Sequence, residues 1–231
     1  MRFQAHELAS IEPPSPPIRA SSYPVQSSRA NDLYLPIEMD MLVEITAEDI
    51  AEFRRYLRTI PFLYNDLVPS ILGRQLKTEA DVRMYFDSSI VLAVWPVALA
   101  MVPTVRTADL MLTSEKTYSN AENSSRPDES IIAYDDDANP LIAQIEYKGP
   151  RGLEDFRTVF RAWLEETYIQ LPTSWNIVTR QLRKYAEATK CRAILCSDGS
   201  DAYVFVFPDG DEPSEDVHFL HAPNDGGLLT L

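Results

Sequence analysis

Three charged side chains lie at the ends of two neighbouring segments that otherwise have the composition of β-strands. Asp128 precedes the segment Ser130–Tyr134, while Glu146 and Lys148 end the segment Leu141–Lys148. Because side chains alternate between the faces of a strand, Glu146 and Lys148 are predicted to share one face. If the two strands pair, the carboxylates of Asp128 and Glu146 come together. Two carboxylates suit Mg²⁺ or Mn²⁺, and a neighbouring lysine would position or help deprotonate a bound water, which is the chemistry of metal-assisted phosphodiester hydrolysis.

The segments around these residues predict the elements that must position them. An acidic turn, Asp135–Pro140, joins the two strands and favours their pairing. Further along the chain, apolar residues recur at helical spacing in two segments and then form two short apolar runs. The sequence predicts a strand over Ala108–Thr113, helices over Leu153–Leu171 (ended by Pro172) and Trp175–Thr189, and strands over Cys191–Cys196 and Ala202–Phe207.

Two helix starts are predicted in the first half of the chain. Thr46–Asp49 and Thr78–Asp81 each have a threonine followed three residues later by an aspartate, which is typical of a capped helix N-terminus. The first helix would expose Arg54, Arg55 and Arg58, either to solvent or to phosphates. The apolar run Ile90–Val102 is too short to span a membrane and contains Pro96, so it predicts a buried, kinked helix.

The ordered set of motifs resembles the signature of the PD-(D/E)xK nuclease superfamily, and in particular its RecB-like QxxxY branch. The matching residues are Pro127-Asp128, Glu146-Tyr147-Lys148 and Gln181-Leu182-Arg183-Lys184-Tyr185. The layout also resembles uncharacterised nuclease-like proteins of fungal genomes. This resemblance covers about residues 78–207. It implies an α/β (α+β) fold with a restriction-endonuclease-like core, in which a central mixed sheet with a β-meander is flanked by helices.

The resemblance also implies roles for individual residues. Asp128 and Glu146 would bind Mg²⁺ or Mn²⁺, with the Tyr147 carbonyl as a further ligand. Lys148 would orient the attacking water, and Gln181 would contact that water or the scissile phosphate. Glu79, in the helix before the meander, is an additional candidate ligand, as is Asp81. Arg180, Arg183, Lys184 and Tyr185 would bind the substrate, the basic residues contacting backbone phosphates without reading sequence.

Each of these residues also has a purely structural interpretation. Asp128 could end a strand or turn, and Glu146 and Lys148 could form a surface ion pair. Tyr185 lies on the predicted apolar stripe of its helix. Glu79 and Asp81 could simply stabilise a helix N-terminus.

Charge and composition restrict the partners. The chain of 231 residues has a net charge of −14, which argues against a nucleic-acid partner, yet residues 148–192 have nine basic and five acidic side chains. That segment is therefore +4, and the remainder is −18. A nucleic-acid partner, DNA or RNA, is expected through this segment. The spacing of Cys191 and Cys196 on one strand predicts no disulfide, and residues 1–20 lack an apolar signal core, so we expect an intracellular protein of the cytoplasm or nucleus without a membrane partner.

The chain is predicted to contain one domain with two appendages. Residues 1–36 are rich in proline and serine and predict a disordered arm, residues 37–207 the domain, and residues 208–231 an acidic tail. The polar segment Tyr118–Ser125 predicts a mobile loop beside the site. His218 and His221 would share a metal only on a helix, which their surroundings do not favour. Two alternatives to a nuclease stay open: a nuclease fold retained as an inactive binding or regulatory module, and an unrelated α/β domain.

Overall fold

The fold was described from a computed structural model of the chain. The structure describes residues 3–4, 34–46, 48, 51–52, 55, 63–64, 77–86, 110–114, 117–119, 124–133, 141–208 and 216–223. Several predicted features lie outside these residues. They are the apolar run Ile90–Val102, the turn Asp135–Pro140, and Asp49, Arg54 and Arg58 of the first predicted helix. Positions 48, 51–52 and 55 of that predicted helix are described, and their backbone is helical.

A mixed sheet of seven strands forms the centre of the described structure. Its order is β2-β11-β10-β9-β8-β7-β4, and two further two-stranded ladders pair β1 with β3 and β5 with β6. The strands are β1 (Phe3–Gln4), β2 (Leu42–Glu44), β3 (Leu63–Tyr64), β4 (Leu110–Ser114), β5 (Tyr118–Ser119), β6 (Ser124–Ser125), β7 (Glu129–Ala133), β8 (Leu141–Tyr147), β9 (Ala193–Ser197), β10 (Asp201–Val206) and β11 (Val217–Pro223).

The central sheet contains both antiparallel and parallel neighbours. The strands β4, β7 and β8 form an antiparallel meander, and β9, β10 and β11 form a second antiparallel set. The pair β8–β9 is parallel, and its crossover contains the helices α2 (Glu154–Leu164) and α3 (Thr173–Thr189). A crossover of this kind is what parallel neighbours require. The prediction of a mixed α/β fold with a central sheet flanked by helices is confirmed.

The main core lies between the sheet and the helix pair α2–α3. Its centre is aromatic: Phe156 packs at ring-centroid distances of 4.5 Å from Trp175 and 5.3 Å from Tyr203. Trp175 also donates its indole N–H to the carbonyl of Ile37 at 2.7 Å, which attaches the segment before β2 to α3. Burial of such large apolar side chains is the dominant stabilising contribution to a domain of this size.

The opposite side of the sheet is packed by α1 (Glu79–Phe86), in which Val82 and Tyr85 are buried. Its predicted start is confirmed. Thr78 Oγ1 accepts the N–H of Asp81 at 3.2 Å, and Asp81 Oδ2 accepts the N–H of Thr78 at 3.0 Å. This reciprocal capping box satisfies backbone donors that a helix N-terminus leaves unpaired.

The predicted helix Leu153–Leu171 is too long at its C-terminal end, because α2 ends at Leu164. Glu166 adopts a left-handed conformation with φ 50°, and Thr167 donates its N–H to the carbonyl of Ala162 at 2.8 Å. Together with the bond from the Glu166 N–H to the Trp163 carbonyl at 3.1 Å, this forms a Schellman motif. Tyr168 lies beyond the helix and is exposed.

The predicted boundary of the C-terminal tail is also corrected. Val217–Pro223, assigned to the acidic tail, forms β11 in the central sheet, between β10 and β2. The alternation of Val217, Phe219 and His221 against His218 and Leu220 is the period of a strand, and it places Val217 and Phe219 in the core. The tail assignment is therefore wrong for β11, while residues 209–215 and 224–231 lie outside the described residues.

Two other segments differ from the predictions. Phe3–Gln4, inside the predicted disordered arm, pairs antiparallel with Leu63–Tyr64, and Tyr34 is buried. In the predicted loop Tyr118–Ser125, the two ends pair as β5 and β6, and both strands lie against α3.

Cys191 and Cys196 are both free and buried. Cys191 precedes β9 instead of lying on it as predicted. Burial raises the pKa of the Cys191 thiol to about 11, which keeps this thiol protonated at neutral pH. In the part of the chain that the structure describes, no helix is long and apolar enough to cross a membrane.

Candidate functional site

The sheet register brings the predicted carboxylates to one edge of the molecule. Strands β7 and β8 are adjacent and antiparallel, with Glu129 opposite Ile145. Asp128 and Glu146 extend that pairing by one residue on each strand, so they lie at the same end of the sheet. Asp128 also accepts the backbone N–H of Tyr147 through Oδ2 at 2.7 Å.

Glu146, Lys148 and Gln181 form one hydrogen-bonded group at this edge. The Lys148 ammonium donates to Glu146 Oε1 and, at 3.1 Å, to Gln181 Oε1. Gln181 Nε2 donates to Glu146 Oε1 at 2.7 Å. Glu146 and Lys148 are only 4 % and 6 % exposed, so the alternative of an ordinary surface ion pair is excluded.

Tyr185 extends this group toward the segment that contains Asp128. Its hydroxyl accepts Gln181 Nε2 at 2.5 Å and donates to the carbonyl of Arg126 at 3.3 Å. Its ring belongs to the hydrophobic core. Tyr185 is therefore a core residue whose hydroxyl also lies beside the site, and burial raises the pKa of that hydroxyl. Its predicted contact with the substrate stays a prediction.

The electrostatics of the Glu146–Lys148 pair are set by burial. Desolvation raises the pKa of Glu146 to about 7, against the attraction of Lys148 and with added repulsion from Asp128. Burial alone would lower the pKa of Lys148, but the attraction of Glu146 outweighs it and the pKa of Lys148 is raised. Lys148 is thus a permanent ammonium at neutral pH, which makes it a donor and a positive charge but not a base.

One oxygen of this buried pair has no partner. Glu146 Oε2 is buried, and within the described residues no group donates a hydrogen bond to it. On the same face of the sheet, the side chains of Ser130 and Gln144 are also buried without hydrogen-bond partners there. An unpartnered carboxylate oxygen in the interior costs several kcal/mol unless a cation or a donor is supplied.

Glu79 lies in the first turn of α1, on the other side of the sheet from α2 and α3. Desolvation raises the pKa of Glu79, and the charges of Lys148 and Asp128 act on it with opposite signs. Glu79 therefore lies within electrostatic reach of both residues. Asp81, the other acidic residue in the first turn of α1, accepts hydrogen bonds within the capping box.

The predicted substrate-binding residues on α3 do not share one face. At 100° per residue, Arg183 lies about 200° around the helix from Gln181, and its Nη2 donates to Met41 Sδ at 3.5 Å. Lys184 is buried, with 7 % of its surface exposed, and desolvation lowers its pKa. Arg180 is half-buried. Arg180, Arg183 and Lys184 therefore do not form one exposed basic surface, and their predicted contacts with backbone phosphates stay a prediction.

A second polar cluster, which the sequence analysis missed, lies where β9 turns into β10. Asp198 accepts backbone N–H groups of Leu153 at 3.0 Å and Ser200 at 2.9 Å. Asp201 accepts Arg157 Nε at 2.7 Å and contacts His221 Nε2 at 2.8 Å. This cluster fixes the start of α2 on the sheet, and it shows that His221 pairs with a carboxylate on a strand and not with His218. The signal available in the sequence was the pair Asp198 and Asp201 at the turn between two apolar strands.

The oxygen atoms at this edge of the sheet are few for a divalent cation. In the described residues, no group of three or more His, Cys, Asp or Glu side chains is close enough to hold a metal ion. Mg²⁺, however, is usually bound by one or two carboxylates together with waters and substrate phosphate. The unpartnered Glu146 Oε2 next to Asp128 fits that pattern.

Compared with protein-family models, curated proteins and solved structures, the chain gives no match.

Proposed function

We propose that the chain is a divalent-metal-dependent nuclease with a restriction-endonuclease-like core of the PD-(D/E)xK type. The observation on which this depends is the buried Glu146 Oε2, which lies without a described donor beside Asp128 and the ammonium of Lys148. A central mixed sheet that contains the meander β4-β7-β8 and is flanked by helices also agrees with the fold that the sequence resemblance implies.

The proposed ligands are the carboxylates of Asp128 and Glu146 and the main-chain carbonyl of Tyr147. Because the N–H and C=O of a strand residue point to the same side, and the Tyr147 N–H is bonded to Asp128, this carbonyl also faces the Asp128 side. A bound Mg²⁺ or Mn²⁺ would supply Lewis acidity and lower the pKa of a coordinated water.

The side chains around the ligands have distinct tasks. An ammonium has three donors, and within the described residues two of those of Lys148 are bonded to Glu146 and Gln181. The third can orient the attacking water or offset charge on a phosphoryl oxygen. Gln181 contacts Lys148, Glu146 and Tyr185, so we assign it as a positioning residue that keeps the ammonium in place.

The substrate class we propose is DNA or RNA, bound without sequence specificity. Arg180 and the positive segment 148–192 would contact backbone phosphates, while the buried Lys184 and the remote Arg183 contribute charge at longer range. Weak binding that falls steeply with salt concentration is expected, because the rest of the chain is acidic.

Cleavage assays test this proposal. Labelled single- and double-stranded DNA and RNA are incubated with Mg²⁺, Mn²⁺ or EDTA, comparing wild type with Asp128→Asn and the double variant Glu146→Gln/Lys148→Met. The double variant removes both buried charges at nearly constant volume, and Lys77→Met, at an exposed lysine outside the positive segment, serves as the control. Metal-dependent cleavage that is retained in the control and falls at least about 100-fold in both site variants supports the proposal. Equal cleavage by all proteins contradicts it.

A binding or regulatory module without cleavage is the second candidate. The observation favouring it is the buried ion pair in which Lys148 neutralises the charge of Glu146. A folded wild type that cleaves none of the four substrates and shows no heat of Mg²⁺ binding would support this candidate.

A further inference from the structure

Glu129, the residue directly after Asp128, is a buried carboxylate with two strong partners. It is 1 % exposed. Its Oε1 accepts Arg83 Nε at 3.0 Å, and its Oε2 accepts the hydroxyl of Tyr147 at 2.9 Å. Because removing one partner of a buried charge is strongly destabilising, this arrangement fixes the positions of all three side chains.

These three residues join three elements. Arg83 belongs to α1, Glu129 to β7 and Tyr147 to β8. Glu129 is opposite Ile145, so it projects to the face that is occupied by Tyr147 and α1 and not to the face of Glu146. Tyr147 contacts both acidic residues, since its hydroxyl donates to Glu129 and its backbone N–H donates to Asp128.

The position of Arg83 on α1 connects this group to the site. Glu79 lies four residues before Arg83, so the two residues share a face of the helix. The charges of Lys148 and Asp128 act on Glu79, whereas Asp81 accepts hydrogen bonds within the capping box. The face of α1 that is held by Glu129 is therefore the face whose first turn reaches the site.

We propose that Glu129 is a positioning residue, which through Arg83 and Tyr147 holds α1 so that Glu79 supplies a third negative charge beside the bound cation. This inference rests on the proposed function, because it assumes the cation. It assigns the segment Asp128-Glu129 two tasks on opposite faces of the sheet: Asp128 belongs to the cation site, and Glu129 anchors the helix that completes it.

The sign of one effect separates this proposal from simple electrostatics. Arg83→Met removes a positive charge, which by Coulomb attraction alone would tighten the binding of a cation. If Arg83 anchors Glu79, the same variant weakens Mn²⁺ binding. We expect the dissociation constant from calorimetric titration to rise about 3- to 10-fold, and Glu79→Gln to have no further effect in the Arg83→Met background because the two changes act through one interaction.

The control is Arg157→Met, which breaks the corresponding pair between an arginine Nε and the buried carboxylate of Asp201. It should leave the Mn²⁺ affinity within about 2-fold of wild type. If Arg83→Met alone fails to fold, the double variant Arg83→Met/Glu129→Gln avoids an unpaired buried carboxylate. It should weaken Mn²⁺ binding as much as Arg83→Met. Tighter or unchanged binding in the Arg83 variants, or additive effects of Arg83→Met and Glu79→Gln, would overturn the proposal.

Hydrogen exchange gives a readout that is independent of the cation. Exchange of the α1 amides should accelerate at least about 10-fold in Arg83→Met and not in Arg157→Met, because α1 loses its anchor. Unchanged exchange overturns the positioning role. If wild type binds no Mn²⁺, the proposed function fails and the role in cation binding fails with it. If wild type binds Mn²⁺ but the effects of Arg83→Met and Glu79→Gln are additive, the proposal is overturned while the proposed function stands.

Discussion

At the scale of single residues, the site is defined by a conflict between burial and charge. Glu146 and Lys148 are both buried, and Glu146 Oε2 has no donor among the described residues. A hydrophobic pair of the same volume would be at least as stable. The cost is understandable if Glu146 binds a cation, and it also means that removing Lys148 alone would leave an uncompensated buried carboxylate and destabilise the fold.

This conflict predicts how stability depends on pH. The pKa of Glu146 is about 7 in the folded chain against 4.5 for an ordinary glutamate. The folded state therefore binds more protons between these pH values, and the free energy of unfolding should fall as the pH rises from 4.5 to 7. Urea unfolding in EDTA should show wild type losing on the order of 2–3 kcal/mol relative to Glu146→Gln/Lys148→Met. Parallel curves for the two proteins would contradict this.

Gln144 gives a second prediction at this scale. Its amide is fully buried, and neither of its polar atoms has a hydrogen-bond partner among the described residues. Gln144→Met keeps the shape and removes the unsatisfied groups, so the free energy of unfolding should rise by about 1–3 kcal/mol. Gln181→Met, which removes a bonded amide, should lower it. A loss of stability in Gln144→Met would mean that the amide has a bonding partner.

At the scale of elements, local patterns predicted some boundaries and missed others. The capping box at Thr78 and the run of β8 were predictable, because short-range hydrogen bonds and alternation decide them. The end of α2 was not, since a non-glycine residue, Glu166, occupies the left-handed position where glycine is the usual signal. The predicted helix was therefore extended to Leu171, the residue before Pro172.

The end of α2 is also a test of backbone strain. Glu166→Gly should raise the free energy of unfolding by about 0.5–1 kcal/mol, because glycine adopts a positive φ without the cost of a Cβ. Glu165, with φ −85°, is the matched control. Glu165→Gly should lower stability by a similar amount through backbone entropy. Equal thermal shifts for the two variants would show that φ at Glu166 is not strained.

At the scale of the whole molecule, the sheet extends well beyond the segment that carries the motifs. The proximity of Asp128 to Glu146 was predictable because β7 and β8 are consecutive strands, whereas the place of Gln181 beside them followed from the sequence resemblance. The position of Glu129, by contrast, depends on Arg83 of α1, which lies 46 residues upstream. The place of β11 depends on contacts with β2 and α2, so long-range packing, and not local propensity, decided both.

Strand β11 should be essential for global stability, although it lies far from the site. Phe219 is 2 % exposed and stacks on Phe160 at 4.3 Å. Phe219→Ala should lower the free energy of unfolding by about 3–5 kcal/mol. His218→Ala, at an exposed position of the same strand, should change it by less than about 0.5 kcal/mol. Similar urea midpoints for the two variants would remove β11 from the core.

The cation site is tested most directly by anomalous diffraction from crystals soaked in Mn²⁺. We predict a peak about 2.0–2.2 Å from Glu146 Oε2, shared with a carboxylate oxygen of Asp128, and its loss in crystals of Asp128→Asn. A well-ordered site without a peak at saturating Mn²⁺, or a peak bound only by other residues, would contradict the metal-dependent nuclease.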